Sequence, residues 1–238
     1  IILKLAGIGD IAMACRAVDE VFSGSKDRIT IHWIIDRGLS RLPSSLIQQK
    51  NIEIVTHPVH SGRLFKGNLW QKATNAFNIT RHCFLNKTNA IALLHRDIRY
   101  YPMVRIGHLG KIHQIKTDPI HEITLYKQVL TKIKNDLKIE TQNTNLQKTQ
   151  TFEKNSLGIL IGGGQGSKTI YQEKRWPHIL KFIELALNQT TFKIILFGSK
   201  EDSEAAATIV KHFNTNRITD QVGQTALEDL PVSIKNLQ

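Results

Sequence analysis

The chain has 238 residues, is 41% hydrophobic and carries a formal net charge of +12, enough apolar material for one large domain or two modest ones. No run of ~18 apolar residues is present, which excludes a membrane-spanning helix. Two cysteines, Cys15 and Cys83, supply neither a disulfide framework nor a zinc site and fit a reducing cytoplasm. The charge is uneven: between His60 and Lys116 there are ten Lys/Arg and one acid, Asp97, a net +9, together with five of the ten histidines. Such a block attracts nucleic acid, anionic headgroups or acidic substrates, and charge alone does not choose among them.

"IILKL" predicts a short strand, "AGIGD" a turn and "IAMACRAVDEVF" a helix. The opening lacks a signal-peptide layout, and a start at Ile1 inside a strand reads as trimming. "RITIHWIID" and "IEIVTH" predict two more strands, 65–90 a mostly helical stretch, "AIALL" at 90–94 a buried strand and 121–137 a helix. Phe65, Trp70, Phe77 and Phe84 fall close to helical spacing and are expected in the core, which disfavours a nucleic-acid module built on exposed aromatics.

The alternation predicts a parallel sheet covered by helices over 1–140. The polar run "KIETQNTNLQKTQTFEKN" supplies a linker at 141–155, and 156–238 restarts the pattern. There "LGILIGGG", "FKIILFGS" and "RITDQVG" read as strands, and 177–188 and 202–213 as helices. "ALEDLPVSI" reads as the start of another helix, so this second doubly wound unit is expected to be incomplete.

Two glycine loops follow strands. Gly7-Ile8-Gly9-Asp10-Ile11-Ala12 matches the dinucleotide pattern G-x-G-x-x-A, and Asp36 could serve as the ribose-binding acid. Against that reading, the charge of Asp10 would oppose a pyrophosphate, and an acid at the mouth of a parallel sheet suits proton removal. The second loop, "GGGQGSKT" at 162–169, misses the P-loop pattern because Ser167 stands where glycine is required. Its backbone N–H groups can still cradle phosphate. Lys168, Lys174 and Arg175 lie between this loop and a helix that Pro177 opens. Donors, dipole and cations there point to one phosphate site. After the next strand, Glu201 suits sugar hydroxyls and Asp202 a helix cap. The histidine pairs His57/His60 and His108/His113 lack a completing ligand, so no metal site is expected.

In this order, "ILKLAGIGDIAMA", "KRWP", "KIILFGSKEDSEAAATIV" and "VGQTALEDLP" resemble the S-x-I-G-D, K-x-W-P, strand–Gly–acid–helix and G-x-T-S-L-x-E-L elements of one family. It is glycosyltransferase family nine, the bacterial lipopolysaccharide heptosyltransferases. The resemblance implies a GT-B fold of two Rossmann-like domains, acceptor bound by the first and ADP-heptose by the second, and inverting transfer to the inner core. It implies Asp10 as general base, and Lys174 on the donor diphosphate with Gly164, Gly166, Ser167 and Thr169. It implies Glu201 on the adenosine ribose. Arg63, Lys66, Lys72, Arg96 and Arg99 become candidates for an anionic Kdo-lipid A or heptosylated acceptor. No cofactor is required, with a divalent ion beside the diphosphate left open. The expected setting is cytoplasmic and peripheral on the inner membrane, without nucleic acid. The chain departs from the family at Cys15-Arg16, where Thr-Pro is usual. The D-S/T-G-x-x-H loop would follow Gln238, so weak donor binding is expected. Two other functions stay open: an NAD(P)-dependent oxidoreductase using Gly7–Ala12, and a basic nucleic-acid-binding module.

Overall fold

The computed structural model describes residues 1–5, 7–47, 49–86, 88–115, 120–140, 155–162, 176–227, 229–235 and 237. The chain divides into two compact units, 1–146 and 147–238. The linker expected at 141–155 falls outside the described residues except for Asn155.

The first unit runs β1 (Ile2–Leu3), α1 (Ile8–Val21), β2 (Ile29–Asp36), α2 (Leu42–Leu46), β3 (Ile52–Val59), α3 (Ser61–Lys66), α4 (Leu69–Leu85), β4 (Ala90–Leu93), α5 (Tyr100–Gly107), β5 (Lys111–Gln114) and α6 (Glu122–Asp136). Its sheet has the order β3-β2-β1-β4-β5, and every pairing is parallel. A parallel sheet must be covered on both faces. Leu3, Leu5, Ile34, Ile91 and Leu93 pack with Leu64, Ile79, Cys83 and Val104 from α3, α4 and α5. Helices α1 and α6 pack together and bury Ile11, Ala14, Val18, Leu125 and Val129. Each such aliphatic side chain stabilises the fold by roughly 1.5–3 kcal/mol. Chain order reverses between β1 and β4, so the crevice at their C-terminal ends is where an open α/β sheet holds its ligands.

The helical stretch expected at 65–90 is broken in two by Gly67 and Asn68. Asn68 Oδ1 accepts from the Gln71 N–H at 2.9 Å, and Gln71 Oε1 accepts from the Asn68 N–H at 3.3 Å. This reciprocal cap starts α4 afresh. Its buried stripe is Asn75, Ile79 and Cys83. Trp70, Phe77 and Phe84, expected in the core, are instead 80%, 65% and 70% exposed. The seven-residue spacing puts them on one face of the helix, and the face that meets the sheet is the other one. The Phe65 side chain lies outside the described residues. Helix α2, helix α5 and strand β5 were not expected from the sequence. Strand β5 is half-exposed and polar, and α5 carries Pro102 in its first turn.

His57 stands between His32 and His82 rather than beside His60. His32 Nδ1 lies 3.0 Å from His57 Nε2, and the His57 and His82 rings are 4.5 Å apart. Burial, then His82 and His32, push the His57 imidazole down to about 4. A base held below its unfolded pKa of ~6.5 stabilises the fold while neutral. That contribution is complete above about pH 6.5 and is lost as pH falls toward about 4. Urea unfolding midpoints should therefore drop between pH 7.5 and 5, and His57→Gln should flatten the dependence. An unchanged slope in that variant would remove the cluster as the cause.

The second unit contains β6 (Ser156–Leu160), α7 (Ile179–Gln189), β7 (Lys193–Phe197), α8 (Ser203–Phe213), β8 (Ile218–Asp220) and α9 (Leu230–Lys235). Its three strands are parallel in the order β6-β7-β8. Ile159, Ile183, Ile194, Leu196, Ala206, Ile209 and Ile218 form its core. Pro177 and His178 occupy the turn before α7, which starts two residues later than Pro177 implied. The Arg217 guanidinium donates to the carbonyls of Leu187, Thr190 and Phe192, tying down the C-terminal end of α7.

Candidate active site

Asp10 lies in the first turn of α1, directly beyond the C-terminal end of β1. Gly7 is what lets it sit there. Its φ of +85° belongs to the left-handed half of the map, and a Cβ at this position would lie 2.9 Å from Asp10 Oδ2. Among the described residues, nothing beyond its own helix backbone and chain neighbours lies within 4 Å of the Gly9 Cβ position, so the loop is open on that side.

Behind Asp10 stands Lys4, a residue the sequence reading passed over as a site. Its Nζ is 3.1 Å from Asp10 Oδ2, with the lysine side chain 7% exposed and the aspartate 42%. The cation is sealed and the carboxylate reaches outward. Nζ also lies 5.2 Å from the centre of the Tyr126 ring, whose face attracts cations. The Tyr126 hydroxyl is buried without a well-formed hydrogen bond. Burial, then the charges of Asp10 and Glu122, push its pKa upward, so it stays protonated. Glu122 opens α6 and pairs with Arg96 at 2.7 Å. Lys4, Asp10, Arg96, Glu122 and Tyr126 therefore form one group of alternating charge at the switch point.

His95, just past β4, closes the floor. Its Nε2 accepts the Leu5 N–H at 2.9 Å and its ring stacks on Tyr100. Burial and then the charge of Lys4 push it down to about 3. It is thus a neutral acceptor, with its remaining proton on Nδ1.

The basic candidates divide into two sets. Arg96 is held by Glu122 and Arg99 by both oxygens of Asp97. Lys66 and Lys72 are exposed, on α3 and the first turn of α4, which leave the sheet at the C-terminal end of β3. The Arg63 side chain lies outside the described residues. All five positions belong to the edge that carries Asp10.

Asp36 is fully engaged within the protein. Oδ1 accepts the Gly38 N–H at 2.9 Å, and Oδ2 accepts both the Ser61 N–H and its hydroxyl. A carboxylate used this way caps the turn after β2 and the start of α3, and it is poorly placed to take ribose hydroxyls. This removes the acid that the dinucleotide reading required.

In the second unit, Asp202 is buried and accepts the Ser199 N–H and hydroxyl at 3.0 and 2.8 Å. It fills the space that a Cβ at Gly162 or Gly198 would need, 2.5 and 3.1 Å from its Oδ2. It is a cap that seals the ends of β6 and β7. Glu201, beside it, is exposed. Its carboxyl is held below the usual range by its own backbone N–H and by the Ser199 hydroxyl. Gly164, Gly166, Ser167, Lys168, Thr169, Lys174 and Arg175 lie outside the described residues. Among the described residues, no group of three His, Cys, Asp or Glu is arranged to hold a metal ion, and no helix is long and apolar enough to cross a membrane.

No family model matches the chain, and no curated protein matches it. Solved structures do. E. coli heptosyltransferase WaaC with ADP-2-deoxy-2-fluoro heptose superposes with a TM-score of 0.66 at 15% identity, covering 96% of this chain and 77% of that one. E. coli ADP-heptose lps heptosyltransferase II gives 0.63 at 15% identity, over 98% and 76%. The glycosyl transferase family 9 structure from Veillonella parvula gives 0.64 at 18% identity, over 98% and 71%. The likeness spans both units, and at this identity it establishes architecture: the chain has the α/β fold of these heptosyltransferases.

Proposed function

We propose that the protein is an inverting glycosyltransferase of family nine that moves a heptose from ADP-heptose to a hydroxyl of an anionic lipopolysaccharide-core acceptor. The observation that carries the reading is the carboxylate of Asp10. It is braced by buried Lys4 at the switch point, in a fold shared with a heptosyltransferase that holds an ADP-heptose analogue.

In this mechanism Asp10 accepts the proton of the acceptor hydroxyl as its oxygen attacks the anomeric carbon. The bond from that carbon to the diphosphate oxygen breaks on the opposite face, releasing ADP. Lys4 fixes the position of the carboxylate. In the second unit, Lys174 takes the departing diphosphate together with the loop carrying Gly164, Gly166, Ser167 and Thr169, and Glu201 takes the ribose. No metal is needed for this scheme. The acceptor's phosphates and acidic sugars meet Arg63, Lys66, Lys72, Arg96 and Arg99. The lipid part of the acceptor places the enzyme at the inner face of the inner membrane.

Hydrogen–deuterium exchange with millimolar ADP-heptose and, separately, NADH tests the donor assignment. ADP-heptose should protect peptides around 176–180 and 198–203 and leave Gly7–Ala12 unchanged. NADH protection of Gly7–Ala12, or no protection by ADP-heptose, would overturn it.

A further inference from the structure

The exposed face of α4 has no role in the site. Trp70, Phe77 and Phe84 repeat every seven residues and are all largely exposed, so they form one stripe about 21 Å long. Helix α5 extends it sideways. Thr80 Oγ donates to the Met103 carbonyl at 3.0 Å. A Cβ at Gly107 would lie 2.3 Å from the Thr80 carbonyl, so the two helices touch there. Phe77 and Phe84, three and four residues from Thr80, lie along the same strip. Next to Gly107, Ile106 is also exposed, as is Leu109 just beyond α5. Leu69 and Leu85 mark the two ends of α4. An exposed apolar patch of this extent marks an interaction surface.

The charge around it says what kind. Helices α3, α4 and α5 contain no acidic residue, and Asp97 is the one acid between His60 and Lys116. Arg81, four residues after Phe77 and three before Phe84, is exposed on the stripe itself, and Arg105 is exposed on α5. A helix with a broad apolar face and flanking cations lies in the headgroup region of an anionic bilayer. Single-stranded nucleic acid also uses aromatics among cations, but it needs stacking platforms. Here aliphatic Ile106 and Leu109, on and just beyond α5, are exposed next to the aromatic stripe, which suits acyl chains.

We propose that the α4–α5 face is a bilayer-docking surface for anionic phospholipid, with Trp70, Phe77 and Phe84 inserting below the headgroups. It extends the peripheral placement proposed above, but it stands on this face alone and is testable without any transfer assay. Trp33 is fully buried in the sheet and Trp176 is 49% exposed in the second unit, so Trp70 serves as the reporter in a Trp176→Phe background. The test is flotation with vesicles of phosphatidylglycerol and phosphatidylethanolamine, alongside pure phosphatidylcholine vesicles, following tryptophan emission. The expected result is co-flotation and a blue shift with the anionic vesicles only. Binding should weaken at least 10-fold in Phe77→Ser/Phe84→Ser and vanish with the blue shift in Trp70→Ser. Circular dichroism of these surface variants should match wild type. Absence of flotation would overturn the proposal. So would a blue shift produced by protein concentration alone, which would assign the face to a second copy. A shift given by single-stranded RNA and not by vesicles would assign it to nucleic acid. Flotation with no ADP release leaves the docking face standing and removes the transferase reading. The converse result does the reverse.

Discussion

Asp10→Asn is expected to lower kcat by about 10²–10⁴-fold, the usual contribution of a positioned general base. The substitution keeps the shape of the side chain and removes its ability to take a proton. It also has a cost away from the chemistry. Lys4 is sealed from solvent and its charge is answered by Asp10, so the asparagine variant leaves a buried ammonium without its carboxylate partner. Removing one partner of a fully buried pair costs about 3–5 kcal/mol. Asp10 is nearly half exposed, so solvent screening reduces this to about 1–2 kcal/mol. Lys4→Met in the same chain should restore most of that stability and none of the activity. Thermal unfolding and initial rates on the two single variants and the double separate the roles. A rate within a few-fold of wild type in Asp10→Asn would remove it as the base.

Gly7→Ala should damage fold and site together. The backbone at φ +85° costs a non-glycine residue roughly 1–3 kcal/mol. The added methyl would also sit 2.9 Å from Asp10 Oδ2, so the carboxylate must move or lose its contact with Lys4. A displacement near 1 Å in a reacting group costs about 100-fold in rate. The expected variant melts several degrees lower and retains about 1% of kcat. Gly9→Ala is the matched control, because among the described residues nothing beyond its own helix backbone and chain neighbours lies within 4 Å of its Cβ position. Equal losses in both variants would show that the loop is simply intolerant of substitution and that Asp10 geometry is not the reason.

The alternation of strands and helices was readable because each buried strand is a compact β-branched run, as in "RITIHWIID" and "KIILF". The place of Asp10 in a glycine turn between strand and helix was readable too, although the same loop also matches a dinucleotide pattern. Its partner was not inferred. Lys4 interrupts the apolar run "IILKL", and a cation inside a buried strand signals a buried counter-charge, but nothing in the spacing names Asp10 as that charge. Tyr126 and Glu122 lie more than a hundred residues away on α6, and only the packing of α1 against α6 brings them in. Asp36 misled in the opposite direction. Its place at the end of β2 matches a ribose-binding acid, while its actual use depends on Ser61, 25 residues later. The aromatic stripe on α4 misled through symmetry. A seven-residue period defines a face without saying whether sheet or solvent meets it, and the buried face is marked by Asn75, whose side chain accepts the His60 N–H and donates to the Gln71 carbonyl.

The transfer reaction itself decides whether Asp10 serves a heptosyltransferase. ADP-heptose and Kdo-lipid A would be incubated with the protein, with ADP release and acceptor mass followed together. ADP release is expected only when acceptor is present, with one heptose gained per ADP and inversion at the anomeric carbon. ADP release without acceptor, a product with retained configuration, or no heptosylated product at all would contradict the proposed transfer.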